Sequence, residues 1–142
     1  MILRRDKLIQ LERTFRSSVR QMRKEMQRVF GEFASINEFA VLYILDTDGD
    51  KKASDLAKML QVSASHITTV TDSLVQKGYI TRRRSQNDRR VVHLSLTEEG
   101  TAFLKEVEAK KSAYLQSKFQ AFEDAELDTM IHLFEKMSRS ID

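Results

Sequence analysis

The chain has no cysteine, no proline and no tryptophan, and only four glycines among its 142 residues. Without cysteine there can be no disulfide, no thiolate metal site and no thiol-based redox sensing within this chain. Without proline, and with little glycine, long uninterrupted helices are expected. No segment approaches the roughly 20 consecutive apolar residues that a membrane-spanning helix needs. The start, Met1-Ile2-Leu3-Arg4-Arg5-Asp6, lacks the apolar core of a signal peptide, so a cytoplasmic location and no membrane partner are expected. A glycine-rich phosphate loop, a G-x-S-x-G elbow and an obvious carboxylate pair are also missing. His66, His93 and His132 show no metal-ligand spacing and would have to be brought together by the fold. Nothing points to an enzyme, a metal or a cofactor.

What the chain does have is zoned positive charge. The run Arg82-Arg83-Arg84-Ser85-Gln86-Asn87-Asp88-Arg89-Arg90 carries a local balance of +4, against +3 for the whole protein, so the remainder is net −1. Affinity for nucleic acid comes mainly from a local cationic patch facing phosphates, which an average over the chain conceals. A second basic region, residues 4–28, holds nine Lys or Arg against three acids. A solvated helix face explains that region more simply, whereas the arginine run falls on a turn between two strand-like stretches.

Hydrophobic periodicity organises the rest. Leu8, Leu11, Phe15, Val19, Met22, Met26 and Val29 recur at steps of three or four, one stripe on a helix of about seven turns. Gly31 ends it. Ser35 and Glu38 match the S-x-x-E capping box before a second helix over 36–46, with Phe39, Leu42, Tyr43 and Leu45 as its apolar side. After the polar turn at 46–50, a short helix over 53–60 buries Leu56, Ala57 and Leu60. Residues 61–63 break the period. The next helix, 64–77, turns Ile67, Val70, Leu74 and Val75 to the core and Ser65, Thr68, Thr69 and Asp72 outward. Two short helices joined by a tight polar turn read as a helix-turn-helix.

Gly78 fits a helix C-terminus, and extended stretches follow at 79–84 and 90–96, where Val92, Leu94 and Leu96 share one face by the period of two. Asn87 and Asp88 suit the turn between them. Thr97 caps a further helix reaching about residue 119, with Glu98 and Glu99 in its first turn. A final helix from about residue 124 is expected to bury Leu127, Met130, Ile131, Phe134 and Met137. The fold class is mainly α with a small β-wing, a winged helix-turn-helix in one domain over 1–142. A first helix of seven turns exceeds the diameter of so small a domain, which favours packing between subunits.

With these elements placed, the chain resembles the MarR family of bacterial transcriptional regulators over nearly its full length. Ser54-Asp55-Leu56-Ala57, Val62-Ser63-Ala64-Ser65-His66-Ile67-Thr68 and Leu74-Val75-Gln76-Lys77-Gly78-Tyr79-Ile80-Thr81-Arg82 fit the pattern. The most selective match is Asp88-Arg89-Arg90-Val91 followed by Leu94-Ser95-Leu96-Thr97-Glu98-Glu99-Gly100. The resemblance implies a homodimer built by terminal helices, here 1–33 and 118–142, around a winged helix-turn-helix at 34–97 with a connecting helix at 98–117. It implies a palindromic double-stranded operator, Arg90 in the minor groove, Asp88 orienting the wing, and relief of repression by a small-molecule effector. The expected DNA-binding residues are Ser63, Ser65, His66, Thr68 and Thr69 on the recognition helix and Arg82, Arg84, Asp88, Arg89 and Arg90 on the wing. Ser63 as a plain N-cap and His66 as a plain surface residue are the simpler alternatives, and Thr71 and Asp72 read as structural. Tyr43 and phenylalanines 15, 39, 103 and 119 suit either an effector cleft or ordinary core. A ligand-independent architectural DNA binder and a winged-helix protein-interaction module would use the same elements.

Overall fold

With no proline to interrupt it, the first helix, α1, runs unbroken over Arg4–Phe30. The computed structural model describes residues 3–31 and 34–139 of the chain. These fall into two compact units, Met1–Lys111 and Ser112–Asp142. In the first unit, α1 is followed by α2 (Ile36–Asp48), β1 (Lys51–Lys52), α3 (Ala53–Leu60), α4 (Ala64–Gln76), β2 (Ile80–Arg84) and β3 (Val92–Leu96). Helix α5 (Glu98–Lys118) contains the division, and α6 (Asp124–Ser138) lies in the second unit.

Local chemistry sets most of these boundaries. Ser35 Oγ accepts the Glu38 backbone N–H (3.1 Å) at the start of α2. Only half of the expected capping box forms, because the Glu38 carboxylate takes a hydrogen bond from Lys77 Nζ at 2.8 Å instead. Helix α2 continues two residues past its expected end and stops at Gly49, whose φ of 82° suits a residue without a Cβ. Gln61 closes α3 in the left-handed region, φ 54°, and Ser63 caps α4 by accepting the His66 backbone N–H (3.1 Å). The turn between α3 and α4 therefore places a non-glycine residue where left-handed backbone is costly.

The expected two-stranded wing is part of a three-stranded antiparallel sheet in the order β1-β3-β2. Lys51 and Lys52 pair with Leu94 and His93, so β3 is hydrogen-bonded on both sides. Across the hairpin, Ile80 pairs with Leu96, Arg82 with Leu94 and Arg84 with Val92. The period of two holds, with Leu94 fully buried and Val92 and Leu96 partly buried against the core.

Val41, Leu42, Leu56, Leu74, Ile80, Leu94, Leu104 and Val107 form the centre of the core, and Phe30 joins it from the last turn of α1. Leu60 and Val75 pack only at its margin. Phe39 and Phe103 also belong to this core, stacked on Phe30 (5.4 Å) and Tyr79 (4.2 Å) respectively. Burial of each such side chain contributes about 1.5–3 kcal/mol before conformational entropy is subtracted. Upstream on α1, Leu8 is 53% exposed and Leu11 63%.

In the second unit, Glu123 and Glu126 form a capping interaction at the start of α6, the Glu123 backbone N–H donating to Glu126 Oε1 at 3.0 Å. Phe119 meets Phe122 edge-on at 5.2 Å. The expectation that α6 buries its apolar face is not met within one chain. Leu127 and Met130 are half-buried, while Ile131, Phe134 and Met137 are exposed. The period identified the apolar face, and among the described residues three of its five side chains remain on the surface.

The L-T-x-x-G stretch closes the winged unit. Thr97 Oγ1 donates to the Gly78 carbonyl (2.7 Å) and accepts the Gly100 N–H (3.0 Å), while the Thr97 N–H donates to the Tyr79 carbonyl (3.1 Å). One side chain thus caps α5 and holds it to the chain leaving α4. Gly100 is buried so close to this junction that a Cβ would collide with the Tyr79 carbonyl oxygen and the Leu96 side chain. Gly100→Ala should lower the unfolding free energy by about 1–3 kcal/mol through overpacking. Denaturant titration checks this, and an unchanged midpoint would contradict the close approach.

Candidate nucleic-acid interface

Two elements present polar side chains outward next to the core just described. On α4, Ser63, Ser65, His66, Thr68 and Thr69 are all exposed, opposite buried Ile67, Val70 and Leu74. Their short side chains are already ordered. Ser63 and Ser65 hydroxyls are 3.1 Å apart, and the hydroxyls of Thr68 and Thr69 donate to the carbonyls of Ala64 (2.9 Å) and Ser65 (3.1 Å). Ser63 is both N-cap and exposed polar group, so capping α4 does not withdraw it from the surface. Helix α4 contains no Lys or Arg. Its attraction for anions comes from its N-terminal N–H groups and dipole.

His66 is not an unsupported surface residue. The Asn37 amide nitrogen donates to His66 Nε2 at 2.9 Å, tying the imidazole to α2. Asn37 escaped notice in the sequence because 29 residues separate the pair and no local pattern links them.

The wing turn, residues 85–91, is built by its own polar groups. Ser85 N–H donates to the Val91 carbonyl (2.9 Å), Val91 N–H to the Asp88 carbonyl (3.0 Å), and Asn87 N–H to Ser85 Oγ (3.3 Å). Asp88 Oδ1 accepts both the backbone N–H (3.0 Å) and Nε (3.1 Å) of Arg90, and Asp88 Oδ2 accepts Arg90 Nη2 (3.2 Å). This is a fork between a carboxylate and a guanidinium two residues apart. The Arg90 side chain is nevertheless 91% exposed. Its remaining N–H donors face outward from a carboxylate that fixes the plane of the group.

The other arginines of the run divide by strand face. Arg82 and Arg84 share the face of Ile80 and fold back on the protein. Arg82 Nη2 lies 3.0 Å from Thr71 Oγ1 and 2.5 Å from Asp72 Oδ1, and Arg84 Nη1 donates to the Arg89 carbonyl at 2.8 Å. Arg83 and Arg89 are exposed and form no ion pair among the described residues. Thr71, read as structural from the sequence, is the one buried polar side chain among the described residues.

With this geometry established, comparison with known proteins is decisive. The MarR family model matches residues 34–92. Over 139 residues the chain is 41% identical to the HTH-type transcriptional regulator YpoP of Bacillus subtilis (strain 168), covering 98% of this chain and 99% of that relative. The chain belongs to the MarR family. Among other members, the transcriptional repressor MprA of Escherichia coli (strain K12) is 34% identical over 111 residues, 75% of this chain and 63% of MprA. A mutant MarR from E. coli, solved complexed with operator DNA, superposes with a TM-score of 0.76 at 22% identity, covering 96% of this chain and 99% of that one. That likeness shows the shared winged-helix fold.

Membership of the MarR family makes this protein a DNA-binding transcriptional regulator rather than an enzyme. Among the described residues, no helix is long and apolar enough to cross a membrane. The matched span, 34–92, ends before the Thr97–Gly100 junction, so the best-matched segment holds the recognition helix and wing turn themselves.

The Asp88–Arg90 fork has a titration signature. The Arg90 guanidinium, and then the Arg90 backbone N–H, hold the Asp88 carboxyl below the usual carboxylate range. A depressed carboxyl stabilises the folded wing above the ordinary aspartate value and loses that contribution as pH falls through its own lower value. Carboxyl-detected NMR should find Asp88 still ionised where an ordinary aspartate is half protonated, with the Arg90 Nε–H shifting only at lower pH. A carboxyl titrating at or above the ordinary value would refute the fork.

Proposed function

We propose that this protein is a cytoplasmic homodimeric repressor that reads a palindromic double-stranded operator with α4 in the major groove and the 85–91 turn in the minor groove. The observation that carries the proposal is the Asp88–Arg90 fork, which aims a rigid cation away from the protein beside an exposed hydroxyl-rich helix. A narrow minor groove concentrates negative potential and attracts arginine, while the wide major groove admits a helix. In this reading Ser63, Ser65, His66, Thr68 and Thr69 approach base edges and phosphates. Arg84, Arg89 and Arg90 face the backbone and minor groove, with Asp88 as the orienting group. A protein-interaction module would expose apolar anchors on α4, where hydroxyls stand instead.

Dimerisation is supported by the exposed large apolar side chains Leu8 and Leu11 on α1 and Ile131 and Leu133 on α6. These lie in the terminal segments 1–33 and 118–142, whose residues 1, 2, 32, 33 and 140–142 are outside the described part of the chain. Two lobes related by a two-fold axis would present two copies of α4 to two half-sites. Relief by a small effector enters the proposal from the family resemblance, with Phe39 and Phe103 assigned to core packing instead.

The test is a salt titration with a duplex selected from a random library by the wild-type protein. The logarithm of affinity should fall linearly with the logarithm of salt, with a slope of about −0.9 per phosphate neutralised. Arg90→Ala should weaken binding about tenfold, within the range of roughly 1–3 kcal/mol for a specific groove contact. Sedimentation should show its dimer unchanged. Binding equal to wild type would sink the wing assignment.

A further inference from the structure

The recognition helix carries one charged residue of fixed sign, and it is of the wrong sign for DNA. Asp72 lies three residues beyond Thr69 and seven beyond Ser65, on the same exposed side of α4. Its side chain is 55% exposed, and an open carboxylate there would repel phosphates. Arg82, from β2, lies against it at 2.5 Å. The same Nη2 donates to Thr71 Oγ1 at 3.0 Å, and Thr71, 1% exposed, donates in turn to the Ile67 carbonyl at 2.8 Å. Arg82 therefore links the wing stem to the middle of α4 through one guanidinium, on the same sheet face as its cross-strand partner Leu94.

We infer that Arg82 is a positioning residue, which neutralises Asp72 on the DNA-facing side of α4 and locks the wing stem to the recognition helix, and is not itself a phosphate contact. Stability alone gives little reason for the pair. Partly exposed ion pairs contribute little to stability, and the Arg82 and Asp72 side chains are 32% and 55% exposed. The geometry has a different use, since helix and wing must enter two grooves of one duplex at a fixed relative angle. The guanidinium bonded to both Thr71 and Asp72 fixes that angle at the stem of the hairpin, while Asp88 fixes Arg90 at its tip. This assigns two acids in the interface the same task, each holding an arginine in place.

The inference rests on the DNA-binding reading above, and a double-mutant cycle separates the two. Wild type, Arg82→Ala, Asp72→Asn and the double variant are titrated against the library-selected duplex and against a random duplex of equal length. As a positioning residue, Arg82→Ala should cost about tenfold in affinity for the selected duplex, and adding Asp72→Asn should recover about threefold of that, the share due to the uncovered carboxylate, while the share due to the lost lock on α4 remains. Such recovery is a departure from additivity, as expected for residues in direct contact. Arg82→Lys keeps the charge but not the planar fork, and should lose selected-over-random discrimination while retaining binding to random duplex.

If Arg82 instead touches phosphate, the double variant will be at least as weak as Arg82→Ala, and Arg82→Lys will discriminate like wild type. Either result overturns the inference. Denaturation midpoints of all four proteins, together with the double variant's recovery, distinguish a lost contact from a failure to fold. Wild type that binds neither duplex would overturn the DNA reading itself, and the inference with it.

Discussion

The hydrogen bond from the Thr97 hydroxyl to the Gly78 carbonyl joins two parts of the chain that must stay in register for the wing to exist. Gly78 is the first left-handed residue after the recognition helix, and Thr97 is the cap of α5. Between them lies the whole hairpin. Closing it at its base lets Tyr79 stack on Phe103 and brings Ile80 and Leu94 into the core. Gly100 then allows α5 to approach the Tyr79 backbone more closely than any residue with a Cβ would permit. The most selective motif in the chain is thus divided in function: Asp88 and Arg90 face outward, while Thr97 and Gly100 hold the frame that presents them.

Electrostatics in the interface follows proximity more than net charge. Five arginines sit within nine residues, yet their surroundings give them different work. Arg82 is drawn to α4, Arg84 to the Arg89 carbonyl, and Arg90 is planted on Asp88 but points to solvent. Helix α4 brings hydroxyls, a tethered imidazole and a dipole, while the side-chain cations come from the hairpin. Hydroxyls and cations are therefore carried by separate elements held together by tertiary contacts.

Much of this was legible before the fold was known. Steps of three and four marked α1 and α4, alternation marked β3, and Ser35, Ser63 and Thr97 marked helix starts, because each signal resides in neighbouring residues. The Asp88–Arg90 pairing was expected from the family resemblance, which places an acid two residues before the wing arginine. What escaped depends on residues distant in sequence. Glu38 pairs with Lys77 across 39 residues, and Asn37 with His66 across 29. Strand β1 consists of two lysines with no alternation of their own, and forms because β3 has a second side to pair with. The apolar face of α6 was readable; what covers it was not, since period reports composition along one helix and not its neighbours.

The order β1-β3-β2 leaves the arginine-bearing strand β2 at an outer position of the sheet. An outer strand offers unpaired backbone groups to any similar strand, and two copies of such a hairpin brought near one another are at risk of joining edge to edge. Charged side chains along the edge are a common defence against that kind of aggregation. Arg82, Arg83 and Arg84 occupy three of the five positions of β2. Like charges on an approaching copy would repel the strand before its backbone could pair, so the arginine run also keeps the hairpins of neighbouring molecules apart.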